Sequence, residues 1–118
     1  MIIAVDFDGT LHTGIWPNIG VPAPYAIEVM QRLRKSNHFI ILWSCREGQL
    51  LTNAINWMSL RSIPFDLANE NHPDNIIKYG GNSRKIYADM YVDDKNAGGF
   101  PGWLEIERLV SEMDSEKI

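Results

Sequence analysis

Acidic residues stand at two places where an apolar run stops. Asp6-Phe7-Asp8-Gly9-Thr10 follows Met1–Val5, and Asp93-Asp94 follows a second apolar stretch ending at Val92. Alternation along an extended chain puts Asp6 and Asp8 on one side and turns Phe7 toward the interior. Carboxylates held so close repel each other. Their tolerance at the end of a buried strand points to a cation, a shared proton, or both. Gly9 permits a sharp turn directly after them. A solvated turn is the ordinary alternative for an isolated Asp-x-Asp, and the second acidic pair at another strand end weighs against it.

Other reactive residue types carry less. Cys45-Arg46 invites a cysteine-phosphatase reading, but that signature needs Cys-x5-Arg and position 51 is Leu51. Cys45 is therefore read as a small packing residue. Arg46 either touches a substrate anion or caps its loop. His12, His38 and His72 are scattered without the paired spacing of a zinc site. Gly80-Gly81 reads as a turn, since no Gly-Lys-Ser/Thr follows to form a phosphate-binding loop. Trp16-Pro17 is either a flap over the site or a packed anchor.

The elements that must position these residues follow from hydrophobic pattern. Met1–Val5 and Phe39–Trp43 read as strands buried on both faces. Asp8–Pro24, rich in Gly and Pro, is loop. Tyr25–Lys35 and Glu47–Leu60 carry apolar residues at helical spacing. Ser62–Asp66 is a weak strand, the residues after it are irregular, Ile86–Val92 is a strand, and Gly102–Met113 is a closing helix. Strands alternating with helices predict an α/β fold: a three-layer, Rossmann-like domain with a parallel sheet and helices on both faces. In such sheets the ligand site lies beyond the carboxyl ends of the strands. Asp6, Ser44 and Asp93 all fall there.

The chain has 118 residues, 45% hydrophobic and 22% charged, which predicts one folded domain over residues 1–118 with a real core. A single cysteine excludes an internal disulfide. The net charge of −4 argues against nucleic acid as a partner, which needs a basic face. No apolar run approaches the ~20 residues of a membrane span, and Asp6 and Asp8 interrupt any leader-like start. The expected compartment is the cytoplasm, with no membrane partner.

With these motifs in place, the sequence resembles the haloacid dehalogenase-like (HAD) hydrolase superfamily. Asp6–Thr10 matches its first motif, Asp-x-Asp-Gly-Thr, at every specified position. Ser44 fits the second motif, Lys85 the third (with Lys78 as rival), and Asp93-Asp94 the fourth. The resemblance spans residues 1 to about 96. It implies a phosphatase in which Asp6 is the nucleophile and forms an aspartyl-phosphate. Asp8 would act first as general acid and then as general base. Mg2+ would be held by Asp6, the Asp8 backbone carbonyl and Asp93. Ser44 and Lys85 would bind the phosphoryl oxygens, and Asp94 would orient Lys85 or a bound water. An acid at Asp8 favours phosphatases over dehalogenating or ion-pumping relatives.

Family members with elaborate substrates carry a cap domain. Neither Leu11–Pro24 nor the interval after Ser44 has room for one, so the resemblance is to the capless branch. The implied substrate is a small phosphomonoester. A phosphatase acting on nucleic-acid ends is the nearest alternative, and a receiver-like phospho-acceptor domain the next. Receivers carry the phosphorylated Asp at the end of the third strand, where Asp66 is a poor candidate. An open site is also compatible with a homo-oligomer, with Trp16, Phe100 and Trp103 as aromatics available for the interface; the alternative is that these side chains fold back on their own domain.

Overall fold

The computed structural model describes residues 1–116. Its elements are β1 (Ile2–Val5), α1 (Ala26–Lys35), β2 (Phe39–Leu42), α2 (Gly48–Leu60), β3 (Leu67–Ala68), α3 (Pro73–Tyr79), β4 (Met90–Val92) and α4 (Trp103–Glu116). All strand pairs are parallel, in the order β3-β2-β1-β4. The central strands read Ile-Ile-Ala-Val and Phe-Ile-Ile-Leu because a strand inside a parallel sheet is covered on both faces. The architecture is three-layered, with helices on both faces and no separate cap domain.

The strand order decides which helix covers which face. The chain steps outward from β1 to β2 to β3, then crosses back over β1 to reach β4. Right-handed crossovers therefore put α1 and α2 on one face and α3 on the other. On the first face Ile3, Val5, Ile40, Leu42 and Val92 share a buried cluster with Val29 and Met30 of α1, Met58 of α2 and Ile106 of α4. Alternation sends Ala4, Ile41 and Tyr91 to the second face. Ala4 lies in register between Ile41 and Tyr91, and above it the rings of Trp43 and Tyr91 meet at 5.4 Å. The α3 helix buries none of its residues, so this second face is thinly covered.

Several expected elements shift. The strand expected over Ile86–Val92 is confined to Met90–Val92. The residues before it spend backbone groups on side chains: Tyr91 Oη donates to Ile86 O at 2.6 Å, and Tyr87 N donates to Asn71 Oδ1 at 2.8 Å. The third strand forms at Leu67–Ala68 rather than Ser62–Asp66. Ser62 sits at φ 56°, outside the extended range, and Pro64 has no N–H to give a ladder. The stretch read as irregular contains α3, capped by His72 Nδ1, which accepts from Asp74 N at 3.1 Å. Cys45, expected to pack, is exposed.

Trp103 is the largest correction. Expected at a surface interface, it is 1% exposed. Its Nε1 donates to Thr10 O at 2.8 Å, and Phe100 packs edge-on against its ring at 5.6 Å. The helix α4 is thereby tied to the turn that follows Asp6 and Asp8. Of the aromatics expected at an interface, Trp16 alone stays open, at 53%. Trp103→Ala is expected to cost about 3–5 kcal/mol in urea denaturation, the range for a buried aromatic. Trp103→Phe, which loses the bond to Thr10 but keeps most of the volume, is expected to cost less than half as much.

Candidate functional site

The register of β1 and β4 sets the site. Val5 pairs with Val92, and Asp6 N donates to Val92 O at 2.9 Å, so Asp6 and Asp93 emerge side by side from adjacent strands. Asp94 joins them. One oxygen from each of Asp6, Asp93 and Asp94 lies within 4.8 Å of the others. Thr10 Oγ1 donates to Asp6 Oδ2 at 3.2 Å. Burial, followed by the charge of Asp93 and a carboxyl–carboxyl contact with Asp94, pushes the Asp6 carboxyl up to about 7. A set of hard oxygen donors that repel one another fits a small divalent cation, which would neutralise the crowding.

Gly9 makes this packing possible. It sits at φ 75°, and a Cβ there would collide with the Asp94 carboxylate. Both the turn after Asp8 and the approach of Asp94 require its missing side chain.

Asp8 has the opposite surroundings. Its carboxylate accepts a two-pronged bond from Arg46, Nε to Oδ2 at 2.8 Å and Nη2 to Oδ1 at 2.7 Å. The Arg46 side chain is fully buried, and its guanidinium lies 5.2 Å from the Phe7 ring centroid and 4.9 Å from that of Trp16. A third donor is His12. Its Nδ1 accepts from Gly14 N and Gly20 N at 3.0 and 3.1 Å, so the ring proton sits on Nε2 and is donated to Asp8 Oδ1 at 2.8 Å. The loop can close on the ring because Gly14 lacks a Cβ, which would strike the backbone of Gly20. Burial works to raise the Asp8 carboxyl, and the bonds from Arg46 and His12 outweigh it and hold it below its ordinary value.

The structure thus brings Asp6, Asp93 and Asp94 together and gives Asp8 its own partners. Asp8's carboxylate is not in the acid cluster. Arg46, expected at a substrate anion or a loop cap, is spent on Asp8 and on Pro17 O at 3.0 Å. Ser44 stands at the end of β2, where its Oγ accepts from Arg46 N at 3.1 Å and its N donates to Asn69 Oδ1 at 2.8 Å. Lys85 forms no ion pair with the acids and lies 5.7 Å over the Tyr91 ring. Lys78 lies on α3, 5.2 Å over Tyr79. Asp94 pairs with Lys95 at 3.6 Å rather than with Lys85. Trp16, 53% exposed, covers the outer face of Arg46.

No family model and no curated protein matches the chain. A solved structure does: a conserved protein coded by a locus of Bacteroides thetaiotaomicron. It is 43% identical, aligns over 96% of this chain and 91% of its own, and superposes with a TM-score of 0.86. The chain belongs to the family of that Bacteroides protein. For this member the fold and the acid cluster are consistent with a hydrolase-like active site. Among the described residues, no helix is long and apolar enough to cross a membrane.

Sequence reasoning missed His12, which was set aside for want of a paired histidine. Its signal was the four-residue spacing from Asp8 and the glycines that follow it. The contrast between Asp6 and Asp8 has a measurable consequence. A carboxyl raised to about 7 from 3.8 favours the folded state while protonated. Its contribution is therefore lost as pH rises from about 4 to 7 and stays lost above that. In excess chelator, Asp6→Asn is expected to be more stable than the parent at pH 8, by on the order of 1–2 kcal/mol after solvent screening. The gap should close toward pH 4. Urea midpoints at several pH values check it, and the parent-minus-variant difference cancels the opposing contribution of His38, whose value is lowered by burial.

Proposed function

We propose that the protein is a Mg2+-dependent phosphatase of the capless HAD-like branch, acting on a small phosphomonoester through an aspartyl-phosphate on Asp6. The observation that carries this reading is the convergence of Asp6, Asp93 and Asp94 beyond the carboxyl ends of β1 and β4. That place is the point where the strand order reverses, the usual ligand position in such sheets. The order β3-β2-β1-β4 and the Asp6–Thr10 motif at the end of its central strand support the same reading.

An Asp6 carboxylate oxygen attacks phosphorus, a new O–P bond forms, and the bond to the leaving oxygen breaks with its electron pair going to that oxygen. Asp8, ionised at rest, takes up the proton that the phosphate monoanion brings and passes it to the leaving oxygen. In the second half, Asp8 draws a proton from the water that attacks the phosphorus and releases Asp6. The clamp from Arg46 and His12 keeps Asp8 ionised at rest, which suits this second half. Asp6, Asp93 and Asp94 would hold the Mg2+, whose bound charge offsets the repulsion between an anionic nucleophile and an anionic phosphate. Ser44 and Lys85 are the candidates for the phosphoryl oxygens.

A receiver-like phospho-acceptor is less well supported. Asp66 precedes β3 instead of ending it, pairs with Arg34 at 3.0 Å, and accepts from Ile40 N at 2.8 Å. Those partners lie at the opposite end of the sheet from Asp6.

Hydrolysis of p-nitrophenyl phosphate is expected to need Mg2+, to stop in excess chelator, and to be lost in Asp6→Asn while the variant's far-ultraviolet spectrum stays that of the parent. Undiminished turnover under chelation would overturn the reading. Arg46→Lys keeps the charge but not the two-pronged bond. It is expected to lower kcat about 10- to 100-fold with little change in KM, as for a residue that orients Asp8. A raised KM at unchanged kcat would instead assign Arg46 to the substrate phosphate.

A further inference from the structure

The thinly covered second face of the sheet carries an open groove of about 660 Å³, within the usual range for small-molecule sites. It lies between α3, the segment after it, and β4. Tyr79, Tyr87 and Tyr91 line it together with Asn71, Asn75 and Lys85. Alternation puts the side chains of Asp6 and Asp93 on this same face, one step beyond Ala4 and Tyr91. Tyr91 stands two residues before Asp93, roughly 6.6 Å along the strand. The Lys85 ammonium lies 5.7 Å over the Tyr91 ring and lines the groove.

The groove is built rather than accidental. Asn71 is 4% exposed and braces its wall, donating to Asn82 Oδ1 at 2.8 Å and Ser83 O at 3.0 Å while accepting from Tyr87 N. Tyr91 is fixed through its hydroxyl to Ile86 O. Tyr79 and Tyr87, in contrast, are 62% and 43% exposed with ring centroids 6.3 Å apart, and Lys78 lies over the Tyr79 ring. The Asn75 side-chain nitrogen is buried with no hydrogen-bond partner among the described residues. Exposed aromatic faces beside the polar side chains of Asn71 and Asn75 suit a flat heteroaromatic ring.

We propose that this groove takes the planar heteroaromatic ring of the substrate, so that the phosphate ester is a mononucleotide: the ring among the tyrosines, the pentose along β4, and the phosphate at Asp6. The assignment of the ring to a substrate rests on the phosphatase reading above. The net charge of −4 favours the small ester over a strand end.

The test separates ring from phosphate. With Mg2+ present, on the full-chain Asp6→Asn variant, where no turnover is expected, calorimetry compares adenosine 5′-monophosphate with ribose 5-phosphate. The nucleotide is expected to bind about 10-fold more tightly, within the range of about 5- to 160-fold for ring stacking. Tyr79→Ala and Tyr87→Ala should each erase most of that difference and leave ribose 5-phosphate binding unchanged, and Tyr79→Trp should retain it. Equal binding of the two ligands, or equal weakening of both by the tyrosine variants, would overturn the groove proposal. That could happen while Mg2+-dependent hydrolysis of p-nitrophenyl phosphate still holds. Selective nucleotide binding without hydrolysis of any ester would overturn the phosphatase reading and leave the groove a ring site. A 3′-phosphorylated oligonucleotide binding more tightly than the mononucleotide, with a steep salt dependence, would overturn the choice of a small substrate.

Discussion

Two parallel strands that end together in aspartate impose a constraint on everything around them. Pairing Val5 with Val92 sets Asp6 and Asp93 abreast, about 4.8 Å apart at the backbone, the spacing of neighbouring strands. At that separation, and half-buried, like charges cannot be relieved by water alone. The chain then adds Asp94 against Gly9. A local arrangement that raises its own energy persists only where the surrounding structure over-determines it. Here the sheet core beneath it does so: Val5, Leu42 and Val92 are 0–1% exposed, and Trp103 pins the following turn through Thr10.

Asp8 meets the same difficulty with the opposite solution. It stands two residues from Asp6, yet its carboxylate is held by a buried guanidinium and an imidazole of fixed tautomer. One carboxyl is pushed up to about 7 and the other held low. Environments that drive neighbouring carboxyls apart are how a site divides labour between groups of identical chemistry. The Arg46 charge is itself costly to bury. It is accommodated because Phe7 and Trp16 flank its faces while Asp8 and Pro17 O take up its hydrogens.

How much of this was legible in the sequence depended on range. The acids at strand ends could be read directly, since each follows an apolar run and the strand pattern needs only local residues. So could the α/β alternation and the strand-end place of Ser44. The partnership of Arg46 with Asp8 spans 38 positions and needs the Trp16 loop to fold over it, which no local pattern encodes. His12 is harder to read because its spacing from Asp8 is a faint signal, and the backbone N–H groups of Gly14 and Gly20 that fix its ring are set by a loop fold that no local pattern encodes. Leu67–Ala68 escaped because a strand of two residues has no period, and its position is fixed by pairing with Ile41 and Leu42. Trp103 was misplaced because the glycines around it look like loop, while its ring reaches 93 positions back to Thr10.

The two faces of the sheet differ in a way that bears on the site. The face under α1, α2 and α4 holds nearly all the large buried side chains, so a change there is felt through close packing. The face under α3 is braced mainly by polar bonds from Asn71 and Tyr91 to loop backbone, with a helix that buries none of its residues. Asp6 and Asp93 point to this second face while their strands are anchored from the first. The acid cluster thus inherits rigidity from one side. The residues that would contact the rest of a bound molecule lie on the other, where exchanging Tyr79 or Tyr87 leaves the main core cluster intact. A sheet covered unevenly in this way lets the surface of the open face change without loosening the carboxylate cluster.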